Sequence, residues 1–238
     1  MGLGQHLFHS RDTADMAVAG SHDHHGSHEA GGIGHLHGVI EQARFYDVVT
    51  KTAFLGRRGA AYRRLARLSG ATPGDRVLDL GCGTGALSGA MVTVVAPGGS
   101  VLGIDPSEPM CERARRKVPG ARFEVMAAEA LDVPDESIDV VVSALAVHHI
   151  DEPARPAAFA QAARVLRPGG RLMVADFRPP AGRFGALLTR AMAGHAMAGD
   201  PGDELLALVE GAGLSVVGVH RQTPFVVVVA ERTAPSRP

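Results

Sequence analysis

The stretch 77-VLDLGCGTGAL-87 constrains the fold of this chain more tightly than any other feature of its sequence. A short apolar run contains Asp79, and Gly81, Gly83 and Gly85 then alternate with other residues before a helical pattern begins. Glycines at that place permit positive φ and leave no Cβ over the backbone, so a ligand or a neighbouring element can come close. A strand, a tight turn and a helix are expected.

The chain repeats that alternation. Apolar runs at 76–80, 100–105, 121–126, 138–145 and 171–177 are separated by helical patterns at 86–95, 107–118 and within 153–166. Turn compositions at 72-TPGD-75, 97-PGG-99 and 168-PGG-170 punctuate them. Ser107 is the expected N-cap of the helix it opens, with Glu108 in the first turn. Strands interleaved with helices in this way predict a parallel sheet covered on both faces.

The last third departs from the pattern. Helices are expected over 183–197 and 200–214, the second with Asp200 as N-cap, Pro201 at its first position and Gly211 and Gly213 closing it. Runs 214–220 and 224–230 read as strands joined by only Arg221, Gln222 and Thr223. So short a link demands antiparallel pairing, because a parallel crossover needs a dozen or more residues. The run 226-VVVV-229 is apolar on both faces and belongs inside the sheet. The expected fold is α/β, with a mostly parallel sheet and one antiparallel strand.

Composition narrows the function. A chain of 238 residues suits one domain, and its net charge of −1 gives no reason to expect nucleic acid or an anionic membrane as partner. Trp is absent and aromatics are 4%, so stacking platforms for single strands are not expected. No apolar run approaches the ~20 residues that span a bilayer. The N-terminus lacks a signal-peptide pattern, which makes the cytoplasm the expected location. Cys82 and Cys111 are too few for a disulfide framework or a cysteine metal site.

Residues 1–37 stand apart, with eight of the twelve histidines set among Gly, Ser, Ala and Asp. This composition cannot bury a core, so a disordered, solvated tail is expected. Zinc, nickel or copper are the divalent ions its imidazoles would take if the tail has a metal role. Helices are expected at 39–56, with Tyr46 on its apolar stripe, and at 59–70. Arginines 57, 58, 63, 64 and 67 read as a solvated basic face.

The glycine spacing also fits G-x-G-x-x-A, so a dinucleotide fold competes for it. Three features weigh against that reading. Asp79, two residues before the first glycine, suits a cationic ligand better than a pyrophosphate. Asp105 ends the second strand, where a carboxylate can accept both hydroxyls of a ribose. The antiparallel pair at the end of the chain is foreign to the dinucleotide fold.

Over residues 40–230 the sequence resembles the class I S-adenosylmethionine-dependent methyltransferases, on the ubiquinone/menaquinone-biosynthesis side. The stretches 77-VLDLGCGTG-85, 103-GIDPSEPM-110, 129-EALDVPDESIDVVVSALAVHH-149 and 164-RVLRPGGRLMVADF-177 carry the resemblance, in family order and spacing. It implies a Rossmann-like seven-stranded sheet of order 3-2-1-4-5-7-6, with helices on both faces. It also implies helices at 38–70 over the cofactor, a core at 71–232, a lid helix at about 183–197 and a tail at 233–238.

The resemblance further implies that Asp79 and the Gly81 backbone bind the methionine ammonium of S-adenosylmethionine, beside Cys82, Gly83 and Gly85. Asp105 would take the ribose hydroxyls, with Pro106 and Met110 near the adenine, and Ala128, Glu129 and Ser143 completing the set. Tyr46 would close over the cofactor, although a core aromatic reads equally well. Ala127 stands where the family usually has Asp or Asn, which moves the adenine contact toward the backbone around Ala128.

Methyl transfer is an in-line displacement in which an enzyme supplies alignment and sometimes a general base. Ser143, His148, His149, Asp176 and Arg178 fall near the expected acceptor. Imidazole titrates near neutrality, so His149 is the candidate base, and His148 is read as structural. His195 shares an apolar stripe with Phe184, Leu187, Leu188, Ala191 and Met192, and is a second catalytic candidate or a core histidine. The acceptor expected is a small, partly hydrophobic quinol, phenol or natural-product scaffold, methylated on oxygen or carbon. A non-methylating reaction such as cyclisation, and an NAD-dependent oxidoreductase, are the alternatives. Arsenic and nucleic-acid methylation are disfavoured, no metal is expected in the fold, and the chain is expected to be a monomer or homodimer. Asp105→Ala is expected to weaken S-adenosylmethionine binding by about 1–3 kcal/mol, measured by calorimetry.

Overall fold

Seven strands form one sheet in the order β3-β2-β1-β4-β5-β7-β6. The structure, a computed structural model, describes residues 58–177, 201–222 and 225–234. In chain order these hold α1 (Arg58–Leu68), β1 (Arg76–Leu80), α2 (Ala86–Val95), β2 (Ser100–Asp105), α3 (Glu108–Lys117), β3 (Arg122–Val125) and β4 (Ile138–Ala144). Two 3₁₀ turns, Val147–His149 and Glu152–Ala154, lead to α4 (Arg155–Val165), β5 (Leu166–Phe177), α5 (Pro201–Gly211), β6 (Ser215–Gln222) and β7 (Phe225–Glu231). The expected helices at 39–56 and 183–197, the His-rich tail, Asp200 and residues 235–238 lie outside the described residues.

β1 to β5 pair in parallel, and β7 runs antiparallel to both β5 and β6. The sheet order and the single reversed strand are those the sequence implies. Residues alternate between faces, as a pleated strand requires. Leu78, Leu80, Val141 and Val174 join Phe159 and Val165 of α4 and Leu205 and Val209 of α5 in one core layer. Val77, Val142 and Met173 join Leu65 of α1 and Leu87 and Met91 of α2 in the other. Each such aliphatic side chain contributes roughly 1.5–3 kcal/mol on full burial. The valines of β7 divide between both layers, which explains their unbroken run.

Four local differences have physical causes. β5 begins at Leu166, five residues before the expected strand, because 168-PGG-170 loops out within it. The register steps from Ile138↔Leu166 to Val140↔Arg171, two residues on β4 against five on β5. β6 extends through Arg221 and Gln222, which pair with Val226 and Phe225, so the β6–β7 link is shorter than expected. Ser107 occupies the N-cap of α3, but its hydroxyl makes no capping bond. Pro109 lacks the donor at the second helical position, and the Met110 N–H goes to the Ser107 carbonyl at 3.0 Å. α5 ends at Gly211, yet the closing turn runs on to Gly213 (φ 76°). There the Leu214 N–H reaches the Val209 carbonyl and the Gly213 N–H the Glu210 carbonyl, a paired closure that needs a left-handed residue.

Asp139 ties the opposite end of the sheet together. It accepts the Arg76 backbone N–H at 2.8 Å and the Arg76 Nε–H at 3.0 Å, and pairs with Arg167 through its other oxygen. Burial pushes its carboxyl up, but the two arginines outweigh that and bring it down to about 2. The folded state is therefore favoured wherever Asp139 is ionised. Asp139→Asn is expected to cost about 1–3 kcal/mol at pH 7 in urea unfolding. The difference should shrink as pH falls from about 4 through about 2.

Candidate functional site

Because β1, β2, β4 and β5 are parallel neighbours, their carboxyl ends lie side by side. The strand order reverses between β1 and β4, and ligands of open α/β sheets bind outside the carboxyl ends at such a point.

Asp79, near the end of β1, is 1% exposed. Its Oδ2 accepts the Ser88 Oγ–H at 2.5 Å, and the Ser88 N–H also supports it. Burial raises the Asp79 carboxyl to about 7, more than the Ser88 bonds lower it, and the Asp105 charge adds to the rise. No basic side chain stands among its partners in the described residues. A buried carboxyl beside a second carboxylate favours a cation placed against it. The sequence singles out Asp79 but not Ser88, whose only signal is a hydroxyl on the apolar side of α2.

The three glycines serve different ends. A Cβ on Gly81 (φ 69°) would lie 2.3 Å from the Ala146 Cβ, so the turn after β4 packs directly on the glycine loop. Gly83 (φ 52°) has nothing within 4 Å of a Cβ, which leaves its backbone open to a ligand. A Cβ on Gly85 would instead meet Ala114, Val118 and Phe123 at 3.2 Å, so this glycine lets α2 start close to α3 and β3. Cys82 contributes its backbone, whose N–H reaches the Ile104 carbonyl at 2.8 Å. Its thiol is buried beside Cys111, and burial pushes both thiols up, which makes them poor nucleophiles.

Asp105 ends β2 half-buried. Its Oδ2 accepts the Gly83 N–H at 3.0 Å and its Oδ1 the Ser107 N–H at 2.9 Å. Both bonds orient the carboxylate, and each oxygen keeps a further lone pair for a ligand hydroxyl. Pro106 is exposed and Met110 half-buried nearby. Past β3, the Met126 N–H returns to the Asp105 carbonyl at 3.2 Å, which brings the turn holding Ala127, Ala128 and exposed Glu129 beside Asp105. Ser143 is buried, and its hydroxyl donates to the Leu80 carbonyl at 2.9 Å, joining β4 to the end of β1.

Leu145 leaves β4 with φ 60°, a left-handed conformation rare for a bulky residue, pinned by its N–H to the Ala175 carbonyl at 2.8 Å. This bend sends Ala146 against Gly81 and begins the turn carrying both histidines. His148 Nδ1 lies 2.7 Å from Asp176 Oδ1, and Asp176 is 3% exposed. His149 stacks at a tilt on His148, ring centres 4.1 Å apart. His149 is exposed to solvent, yet enough protein surrounds its ring that burial, and then His148, lower its basicity; Asp176 and Asp105 partly offset this. The sequence gives the base role to His149, whereas the buried carboxylate meets His148. Tyr46, Arg178 and His195 lie outside the described residues.

These groups fit a ligand with a cation at one end and a hydroxylated nucleoside at the other. Asp79 has no basic partner among the described residues, Asp105 presents oriented oxygens, and Gly83 offers bare backbone between them. The sheet defines an α/β domain of the class I methyltransferase fold.

Comparison with known proteins agrees. Residues 77–170 match a family model described as a methyltransferase domain. Demethylmenaquinone methyltransferase of Symbiobacterium thermophilum is 32% identical over 148 residues, covering 60% of this chain and 58% of that one. The 27-O-demethylrifamycin SV methyltransferase of Amycolatopsis mediterranei is 43% identical over 127 residues, covering 50% and 45%. The chain thus spans about half the length of the curated relatives it matches. Two solved structures share the fold: a TehB-like S-adenosylmethionine-dependent methyltransferase from Corynebacterium glutamicum and a methyltransferase of the same dependence from Aquifex aeolicus. The first has TM-score 0.60 at 22% identity, covering 82% of this chain and 99% of that one. The second has TM-score 0.59 at 21% identity, covering 72% and 89%. Residues 77–170 thus resemble a methyltransferase domain, and the sheet has the fold of S-adenosylmethionine-dependent methyltransferases.

The Asp79 carboxyl in the folded chain lies above its ordinary 3.8. Between about 4 and 7 the folded chain therefore holds a proton that the unfolded chain has released, and stability declines over that window as pH rises. A cationic ligand must ionise Asp79, so S-adenosylhomocysteine affinity is expected to fall below pH 7, by at most about tenfold per unit. Calorimetry in buffers of different ionisation enthalpy should register proton release on binding. Asp79→Asn should raise stability at pH 8 by roughly 1–3 kcal/mol while abolishing that binding.

Proposed function

We propose that this chain transfers the methyl group of S-adenosylmethionine to a small, partly hydrophobic acceptor: a quinol, phenol or natural-product scaffold, on oxygen or carbon. The observation that carries this is the pair of carboxyls at the ends of β1 and β2. Asp79, buried without a basic partner among the described residues, takes the amino-acid end of the cofactor, and Asp105 takes its ribose, with Gly83 between them. Pro106, Met110 and the turn at Ala128 and Glu129 receive the adenine, and Tyr46 covers the bound molecule. The relatives support the acceptor class, since one is named for a demethylmenaquinone and another for a demethylrifamycin.

The lid helix near 183–197, with His195, belongs to the same proposal, as do a cytoplasmic location and a monomeric or homodimeric state. Among the described residues no helix is long and apolar enough to cross a membrane. The tail at 1–37 is a solvated segment whose histidines take zinc or nickel only incidentally. Loss of zinc-dependent or nickel-dependent activity on its deletion would contradict this.

Calorimetry with S-adenosylhomocysteine should give micromolar or tighter binding, and NADH none. Labelled S-adenosylmethionine should pass its methyl to members of a quinol and phenol panel. Binding of NADH without S-adenosylhomocysteine would sink the proposal. Cofactor binding with no transfer across a broad panel would point instead to a non-methylating reaction.

A further inference from the structure

Resting on that methyl-transfer reading, we infer that the chain holds the base of its cofactor on an apolar shelf and does not read the exocyclic amino group, so that cofactors altered at that group are accepted. Val125 carries the inference. It ends β3 in register with Asp105, and its side chain is 45% exposed. Among the described residues, Val125 and Val217 are the large apolar side chains left that open. Strands paired in register present their side chains to the same face, so Val125 stands beside the carboxylate that takes the ribose. A base joined to that ribose covers the valine and removes its apolar surface from water.

The rest of the shelf has the same character. Pro106 and Met110 flank the start of α3, and the Met126 N–H on the Asp105 carbonyl brings Ala127 and Ala128, both half-buried, to the same corner. None of these side chains is a strong acceptor. The Met126 sulfur takes the Asp132 N–H at 3.3 Å, and the Ala127 carbonyl takes the Ala130 N–H at 3.2 Å within the turn. Nearby acids are engaged elsewhere or turned to water. Glu108 pairs with Arg115 and Glu124 with Arg122, each at 2.7 Å, while Glu129 and Asp132 are exposed. Arg164 of α4 donates to the Leu131 and Val133 carbonyls at 2.9 and 2.8 Å, which fixes the far end of the turn.

The chemistry of selection follows. A site that accepts a hydrogen bond from an amino group rejects the analogue lacking it, because its own buried acceptor is left unpaired. An apolar shelf has no acceptor to strand. It holds the base by contact area, and the amino group keeps its bonds to water at the open edge. Recognition of the cofactor then rests on Asp79 and Asp105, and Ala127 is the specificity-determining position, where the missing acceptor leaves the amino group unread.

The test uses the full chain and calorimetry with three ligands: S-adenosylhomocysteine, its analogue lacking the amino group, and its analogue carrying two methyls on that group. All three should bind within about threefold of one another. Failure of all three to bind would overturn the underlying reading of the cofactor. Binding of S-adenosylhomocysteine with a loss of about tenfold or more on either analogue would overturn the shelf alone. This comparison needs no variant to decide it. Ala127→Asp should weaken the analogue lacking the amino group by about tenfold or more relative to S-adenosylhomocysteine, and an unchanged ratio would overturn the placement of the base. Val125→Ser should weaken all three ligands alike, by about threefold or more, and unchanged affinities would remove Val125 from the site and the inference with it.

Discussion

Burial of the Asp79 carboxyl is the constraint around which the site is organised. β1 is paired on both sides and covered on both faces, so an acid near its end cannot reach water. Ser88 gives it two hydrogen bonds but no charge, and the carboxyl is correspondingly hard to ionise. A cation from outside the chain relieves that. The fold thus tolerates a destabilising group at the place where recognition needs it, as sites built for function commonly do.

The glycine loop and the histidine turn are mechanically one piece. Gly81 is bare because Ala146 occupies the space of its side chain, and Leu145 takes a left-handed bend to bring Ala146 there. Gly83 is held by Asp105, which in turn orients the start of α3 through the Ser107 N–H. A shift of the loop on binding would therefore be felt both at Asp105 and at the His148–Asp176 pair.

Much of this was legible in the chain. Strand runs, helix periods and the short link before Phe225 led to a mostly parallel sheet with one reversed strand, because a tight link after a parallel sheet permits only antiparallel pairing, and the family resemblance supplied the order. Asp79 and Asp105 were readable from their places relative to glycines and strand ends. Gly85 was not separable from Gly83, since spacing does not say which glycine faces a ligand and which faces Val118 and Phe123. Nor was Ser107 readable as a non-capping serine, because its hydroxyl loses its donors to Pro109 and to its own carbonyl.

The sequence by itself determined the fold class, a mostly parallel sheet with one reversed strand, and the two acids set around the glycine loop, because periodicity and glycine placement act locally along the chain; the order of strands came from the family resemblance. Only the tertiary structure decided which of two adjacent histidines meets a buried acid. His148 and Asp176 are 28 residues apart, and nothing in either segment marks the partner. Their meeting depends on β4 lying beside β5 in register and on a left-handed leucine turning the chain at the sheet's end.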